Sequence, residues 1–204
     1  MIPLMLDTSR LHVLVFGAGA VGIRKARYFA GNCQKLTIAS REFSAEIAGA
    51  DQKTCDIARM TRAELRHLIK SHDIIIAAVP DETLNKEICE AAAENGKWYN
   101  SATGGGNFLI PAAFSEGGAT IAVSTGGKSP AAAAYIRDTL REACPSPDLM
   151  VKITADLREE LKETEPDAEK RADILRRVLR DEKVREALAA GDEETARYRA
   201  WSIR

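Results

Sequence analysis

Gly17, Gly19 and Gly22 stand at G-x-G-x-x-G spacing directly after the apolar run Val13-Leu14-Val15-Phe16 and open the helical pattern Val21, Arg24, Lys25, Tyr28, Phe29. A strand that breaks at such a triplet and restarts as a helix can hold a nucleotide. The first glycine permits the tight turn, the second lets main chain approach a pyrophosphate, and the third lets helix and strand pack closely. Phosphates then meet the unpaired amides and positive dipole end of the helix at Ala20 and Val21.

Four further segments carry chemistry. Val79-Pro80-Asp81 follows a very apolar run and would border the ligand crevice if that run is a strand of a doubly wound sheet, with Asp81 a candidate base. Asn100-Ser101-Ala102-Thr103-Gly104-Gly105-Gly106-Asn107 offers a hydroxyl and then a closely approached glycine loop, whose far end Phe108 and Pro111 would anchor. Ser124-Thr125-Gly126-Gly127-Lys128-Ser129-Pro130 sets hydroxyls and one cation before a helix, an anion-receiving pattern without the residue order of a P-loop. At the end of the second strand, Ser40 with Arg41 suits a 2′-phosphate, whereas Glu42 suits a pair of ribose hydroxyls.

The elements that must position these residues alternate. Strands are expected at 11–16, 35–39, 53–55, 73–78, 97–100 and 119–123, with helices at 20–30, 62–70, 83–94 and 130–142; Thr61 and Asp81 are good N-caps. The expected fold is α/β: a Rossmann-type parallel sheet domain over residues 1–112, a small dimerisation segment over 113–146, and a helical C-terminal tail over 147–204. Pro145-Ser146-Pro147 punctuates the entry to the tail, where Ile174, Leu175, Val178 and Leu179 recur at helical spacing among mixed charges. The segment from Ala113 to Glu142 looks too apolar to face water, which points to a homodimer.

Composition narrows the partners. With 29 Lys and Arg against 30 Asp and Glu, the net charge of −1 supplies no global field for nucleic acid or an anionic membrane, so an anionic ligand must be met locally. Cys33, Cys55, Cys89 and Cys144 form no C-x-x-C pair, and His12, His67 and His72 make no ligand set with them, so no metal site is expected. Separate, reduced thiols, the absence of a membrane-length apolar run and an N-terminus unlike a signal peptide give the expectation of a cytoplasmic protein.

The order G-A-G-A-V-G-x-R-K, A-x-P-D-E-x-L-N, N-F-x-x-P-A and S-T-G-G-K-S-P resembles the precorrin-2 dehydrogenase family, which includes the bifunctional siroheme synthases, over about residues 8 to 143. The resemblance implies NAD as cofactor, oxidation of precorrin-2 to sirohydrochlorin, an intertwined homodimer, and a tetrapyrrole site that includes Gly104, Gly105, Asn107, Ser124, Thr125, Gly126, Lys128 and Ser129. It also exposes a departure: where the family carries an aspartate assigned to both dehydrogenation and iron chelation, this chain has Ser101, with no acid between Lys97 and Ser115. A hydroxyl is a poor general base and a poor ligand for ferrous iron, so dehydrogenation is expected to persist and chelation to be weak or absent. A nucleotide-sensing Rossmann protein without activity and a dehydrogenase of another small substrate are the alternatives.

Overall fold

The computed structural model describes residues 2–144 and 146–203, leaving Pro145 of the punctuating triplet outside the described residues. The chain divides into two units, residues 1–110 and 111–204.

In the first unit, β1 (His12–Ala18), β2 (Lys35–Phe43), β3 (Ala50–Thr54), β4 (Ile74–Ala77) and β5 (Trp98–Ser101) form a parallel sheet in the order β3-β2-β1-β4-β5. Such an order reverses direction between β1 and β4, and ligands of open α/β sheets bind at the carboxyl edge of that reversal. Strands β1 and β4 are apolar on both faces because helices cover both. On one face Val13, Val15, Ile74 and Ile76 pack against Ile23, Ala26 and Phe29 of α1 (Ala20–Phe29). On the other, Leu14, Phe16, Ile75 and Ala77 meet Leu65 and Ile69 of α2 (Arg62–Lys70) and Ile88, Ala91 and Ala92 of α3 (Glu82–Glu94). Each large aliphatic side chain buried this way contributes about 1.5–3 kcal/mol.

The second unit opens with a hairpin, β6 (Ala112–Glu116) and β7 (Ala119–Val123), turned through Gly117 and Gly118 at φ 53° and 89°. Both glycines have the positive φ that a tight two-residue hairpin turn requires. Helices α4 (Pro130–Ala143), α5 (Pro147–Thr164), α6 (Ala168–Arg180), α7 (Glu182–Ala189) and α8 (Glu193–Trp201) follow. Ile153, Leu157, Leu161, Val178, Val184 and Leu188 form the core of the last four helices. Aspartates 167, 181 and 192 cap three of these helices through their side chains.

Several expectations shift. The second strand runs to Phe43 rather than Ala39, and β6 stands where no strand was expected; the tail is helical as expected, built of four helices. The buried stripe of α1 is Gly22, Ile23, Ala26 and Phe29, while Val21 and Tyr28 are exposed. In the tail Val178 is buried and Leu179 exposed. No helix of the described residues is long and apolar enough to cross a membrane.

Candidate functional site at the carboxyl edge of the sheet

The three glycines answer three different demands. Gly17 has φ +94°, and a Cβ there would lie 2.3 Å from the Ala78 carbonyl oxygen; a Cβ on Gly22 would lie 2.0 Å from the Gly17 carbonyl oxygen. The fold alone requires both. Gly19 is different: its backbone is extended at φ −73° and ψ −179°, and no heavy atom lies within 4 Å of where a Cβ would sit. The open space beside it fits the close approach of a diphosphate, not a need of the fold. Gly19 caps α1 without a side-chain bond, and the first turn, Ala20 to Gly22, carries no acid. Uncapped amides at a helix start favour an anion, so these residues fit the phosphates of a dinucleotide.

Beside this turn, β2 bulges. Register partners run Phe16 with Ala39 and then Ala18 with Phe43, so three residues, Ser40, Arg41 and Glu42, stand opposite the single Gly17, two more than a regular ladder holds, while Ser40 keeps its pairing with Thr54 of β3. Arg41 and Glu42 are exposed, and Ser40 is half-buried. Both chemistries proposed for this position remain geometrically open to the ribose end of a ligand.

At the end of β4, Val79 is buried and Pro80 and Asp81 exposed. Asn85 reaches back with its amide: Oδ1 accepts from the Val79 N–H at 3.0 Å and Nδ2 donates to the Val79 carbonyl at 2.9 Å. Asp81 Oδ1 accepts from the Thr83 and Leu84 amides at 2.8 and 3.1 Å. Through this oxygen Asp81 caps the start of α3.

The end of β5 forms a hydroxyl cluster. Ser101, 8% exposed, shares a hydrogen bond with Thr103 Oγ1 at 3.0 Å and accepts from the Thr103 N–H at 3.2 Å. Cys89 lies against it. Burial and the neighbouring Glu90 push that thiol up, and the Lys25 ammonium and a Ser101 hydrogen bond partly oppose them. Ser101, Thr103, Cys89, Tyr99 and Lys86 line, with Gly104 to Gly106, a cleft of about 370 Å³.

The glycine loop turns back along β5. Ser101 N–H donates to the Gly105 carbonyl at 3.2 Å and Asn107 N–H to the Tyr99 carbonyl at 3.0 Å. Asn107 clamps the return with its side chain, accepting from Tyr99 N–H at 2.7 Å and donating to the Lys97 carbonyl at 2.9 Å. Gly106, at φ +135°, admits no Cβ, since one would sit 2.7 Å from the Tyr99 carbonyl oxygen. Phe108 packs edge-on to Trp98 at 6.4 Å and joins the α1 side of the core. Sequence reasoning missed one partner. The Lys25 ammonium donates to Asn100 Oδ1, whose Nδ2 donates to the Phe108 carbonyl at 3.0 Å. Burial, then the neighbouring Arg24, pulls the Lys25 amine down. Its signal was the R-K pair after the third glycine, which reads as solvated helix.

In the second unit, the Ser124–Ser129 loop is held mostly by its own hydroxyls. Thr125 Oγ1 donates to the Ser129 carbonyl and accepts from the Ser129 N–H, both at 3.0 Å, while Ser129 Oγ caps α4 by accepting from Ala132 N–H at 3.2 Å. The Gly126 N–H donates to Ser124 Oγ at 3.1 Å, and Lys128 is exposed. Among the described residues no group of three or more His, Cys, Asp or Glu could hold a metal.

Comparison with known proteins agrees with this geometry. Residues 4–112 match a family model described as NAD(P)-binding, and residues 117–143 match the central region of sirohaem biosynthesis proteins. The precorrin-2 dehydrogenase of Methanosarcina barkeri is 34% identical over 99% of this chain and 92% of its own length. A relative from Methanocaldococcus jannaschii is 35% identical over 92% of this chain and 94% of its own. The solved structure titled "SirC, precorrin-2 dehydrogenase" superposes with a TM-score of 0.74 at 22% identity, covering 99% of this chain and 100% of that one, and so shares the fold. With a nucleotide turn that the fold alone does not explain and full-length relatives above 30% identity, the chain belongs to the precorrin-2 dehydrogenase family.

Proposed function

We propose that this protein oxidises precorrin-2 to sirohydrochlorin, using NAD. The observation that carries the reading is the open space beside Gly19 at an uncapped helix start, within a chain of this family. NAD, when bound, supplies a two-electron acceptor. The chain's part is to hold and orient. Gly17, Gly19 and Gly22, with the first amides of α1 at Ala20 and Val21, receive the diphosphate. Glu42 accepts from the ribose hydroxyls, with Ser40 and Arg41 beside it in the same bulge, and Val79, Pro80 and Asp81 border the cofactor. Of the substrate-binding residues that the family resemblance implies, Gly104, Gly105 and Asn107 belong to the first unit, and Ser124, Thr125, Gly126, Lys128 and Ser129, with hydroxyls and a cation suited to carboxylates, to the second. Fixing two reactants in register can supply about 7–11 kcal/mol of the barrier, which lets oxidation proceed without a strong base at Ser101.

The same reasoning separates oxidation from chelation. Ser101 and Thr103 offer hydroxyls bonded to each other, so the position lacks the carboxylate that would draw off pyrrolic protons. The protein is proposed to work as a cytoplasmic homodimer joined through residues 113–146. Support comes from α4, whose one buried residue is Ala133, while Tyr135, Ile136 and Leu140 are 73%, 41% and 40% exposed.

The test is incubation with precorrin-2 and NAD, followed by absorbance. Appearance of the sirohydrochlorin spectrum together with an equal amount of NADH is expected. NAD binding without NADH formation would replace this reading with that of a nucleotide sensor.

A further inference from the structure

A lysine–asparagine pair sits where an apolar pair would pack. Lys25 lies on α1 between the buried Gly22 and Ala26 positions, and Asn100 of β5, 4% exposed, is the register partner of Ile76 of β4. Phe108 and Ile110 pack against the same cluster as Ile23, Ala26 and Ile76. Asn100 is buried and Lys25 half-buried, and withdrawing polar groups from water among such neighbours costs free energy that aliphatic side chains of similar volume would not. What it does is join elements. The Lys25 ammonium holds Asn100 Oδ1, Asn100 Nδ2 holds the Phe108 carbonyl, and Gly106 bridges to Asn100 through main chain. Asn100 thus has both ends of its amide committed, one to the helix that begins at Gly19 and one to the loop that contains Gly104 to Gly106.

We propose that Lys25 is a positioning residue for the dehydrogenation: through Asn100 it ties the helix that receives the diphosphate to the glycine loop beside the reacting groups, holding the two at one spacing. This rests on the dehydrogenase reading above. The tie acts on the closed, hydrogen-bonded return of the loop. That return has few apolar contacts of its own before Phe108, and Gly104 and Gly105 have no neighbour within 4 Å of a would-be Cβ. A loop so built opens locally unless something fastens its end.

Lys25→Met keeps the length of the side chain and removes its donor; Lys25→Arg keeps a donor. In the ligand-free Met variant, exchange of the Asn107 and Ser101 amides is expected to quicken at least about tenfold while amides of β1 and β4 keep their rates. NAD affinity by calorimetry is expected to stay within about threefold, and kcat with precorrin-2 to fall at least about tenfold with little change in KM for NAD. The Arg variant is expected to regain most of both. Unchanged loop exchange would overturn the proposal. So would an equal loss of NAD affinity, which would make Lys25 a phosphate ligand, or exchange quickened evenly through β1 and β4, which would make it a general stabiliser. Should the Met variant not fold, Lys25→Gln carries the same comparison. If the unaltered protein forms no NADH from precorrin-2, the dehydrogenase reading fails, and the exchange measurements still decide whether the tie holds the loop.

Discussion

Replacing Gly19 by aspartate is expected to strengthen the fold and abolish cofactor binding in the same molecule. The backbone there, φ −73° and ψ −179°, is open to any residue, and a Cβ would meet nothing within 4 Å. Aspartate is a favoured N-cap, its charge suits the positive end of α1, and losing a glycine reduces unfolded-state entropy; together these contribute about 1 kcal/mol. For a chain of this length that raises Tm by about 2–4 °C. The same carboxylate would stand in the diphosphate's path. Two like charges about 4 Å apart repel by about 4 kcal/mol at an effective dielectric of about 20. Even halved by screening, that is at least a 20- to 30-fold loss of affinity, on the order of 2 kcal/mol, before any steric exclusion. Differential scanning calorimetry and NAD titration read the two effects separately. NAD affinity unchanged within about threefold in a folded variant would refute the assignment of this turn to the diphosphate, and a Tm lowered by several degrees would refute the open space.

Four other outcomes follow from described contacts. Gly22→Ala forces a Cβ to 2.0 Å from the Gly17 carbonyl oxygen, so chemical denaturation should show a loss of about 1–3 kcal/mol or more, the reverse of Gly19→Asp. His72, 6% exposed, sits with Nδ1 2.8 Å from the Leu68 carbonyl and Nε2 3.1 Å from Thr37 Oγ1. Burial holds it below its ordinary 6.5, so the unfolded chain takes up a proton first; stability is full above about pH 6.5, falls as pH drops toward the folded value, and should flatten in His72→Gln urea titrations. Lys128→Ala should weaken tetrapyrrole binding by about 1.5–3 kcal/mol at low salt, less at high salt, and leave NAD affinity unchanged; equal losses for both ligands would remove Lys128 from the substrate site. Ser101→Asp should raise ferrous-ion insertion into sirohydrochlorin more than it raises NADH formation, and rapid insertion by the unaltered protein would contradict the role given to the missing carboxylate.

Elements set by strong local rules were legible. Arg62–Lys70 matches its expected bounds because Thr61 and Glu64 form a reciprocal capping box, and β7 matches because its alternation stops at a hydroxyl-glycine turn. The overrun of β2 was not, since Arg41-Glu42 is too polar to read as strand; its pairing depends on a bulge opposite Gly17 that only tertiary contact produces. Ala112–Glu116 reads as loop because alanines and a serine carry no β signal, and it is strand because β7 pairs with it. At the site, glycine spacing announced the turn and the separate task of each glycine; what it could not supply are the neighbours that exclude a side chain, Ala78 beside Gly17 and the Gly17 carbonyl beside Gly22. Lys25 was hidden for the same reason, its partner Asn100 being 75 residues away.

The return of the glycine loop along β5 has a consequence for solubility. An outer strand of a parallel sheet presents a row of unpaired amides and carbonyls on which another chain can grow. Here that row is already taken: the Tyr99 amide and carbonyl go to Asn107, and the Ser101 amide goes to Gly105. A side chain at Gly106 would push the return away from Tyr99 and uncover the strand. The glycine is then a guard against intermolecular sheet growth, and Gly106→Val is expected to show itself first as aggregation on expression.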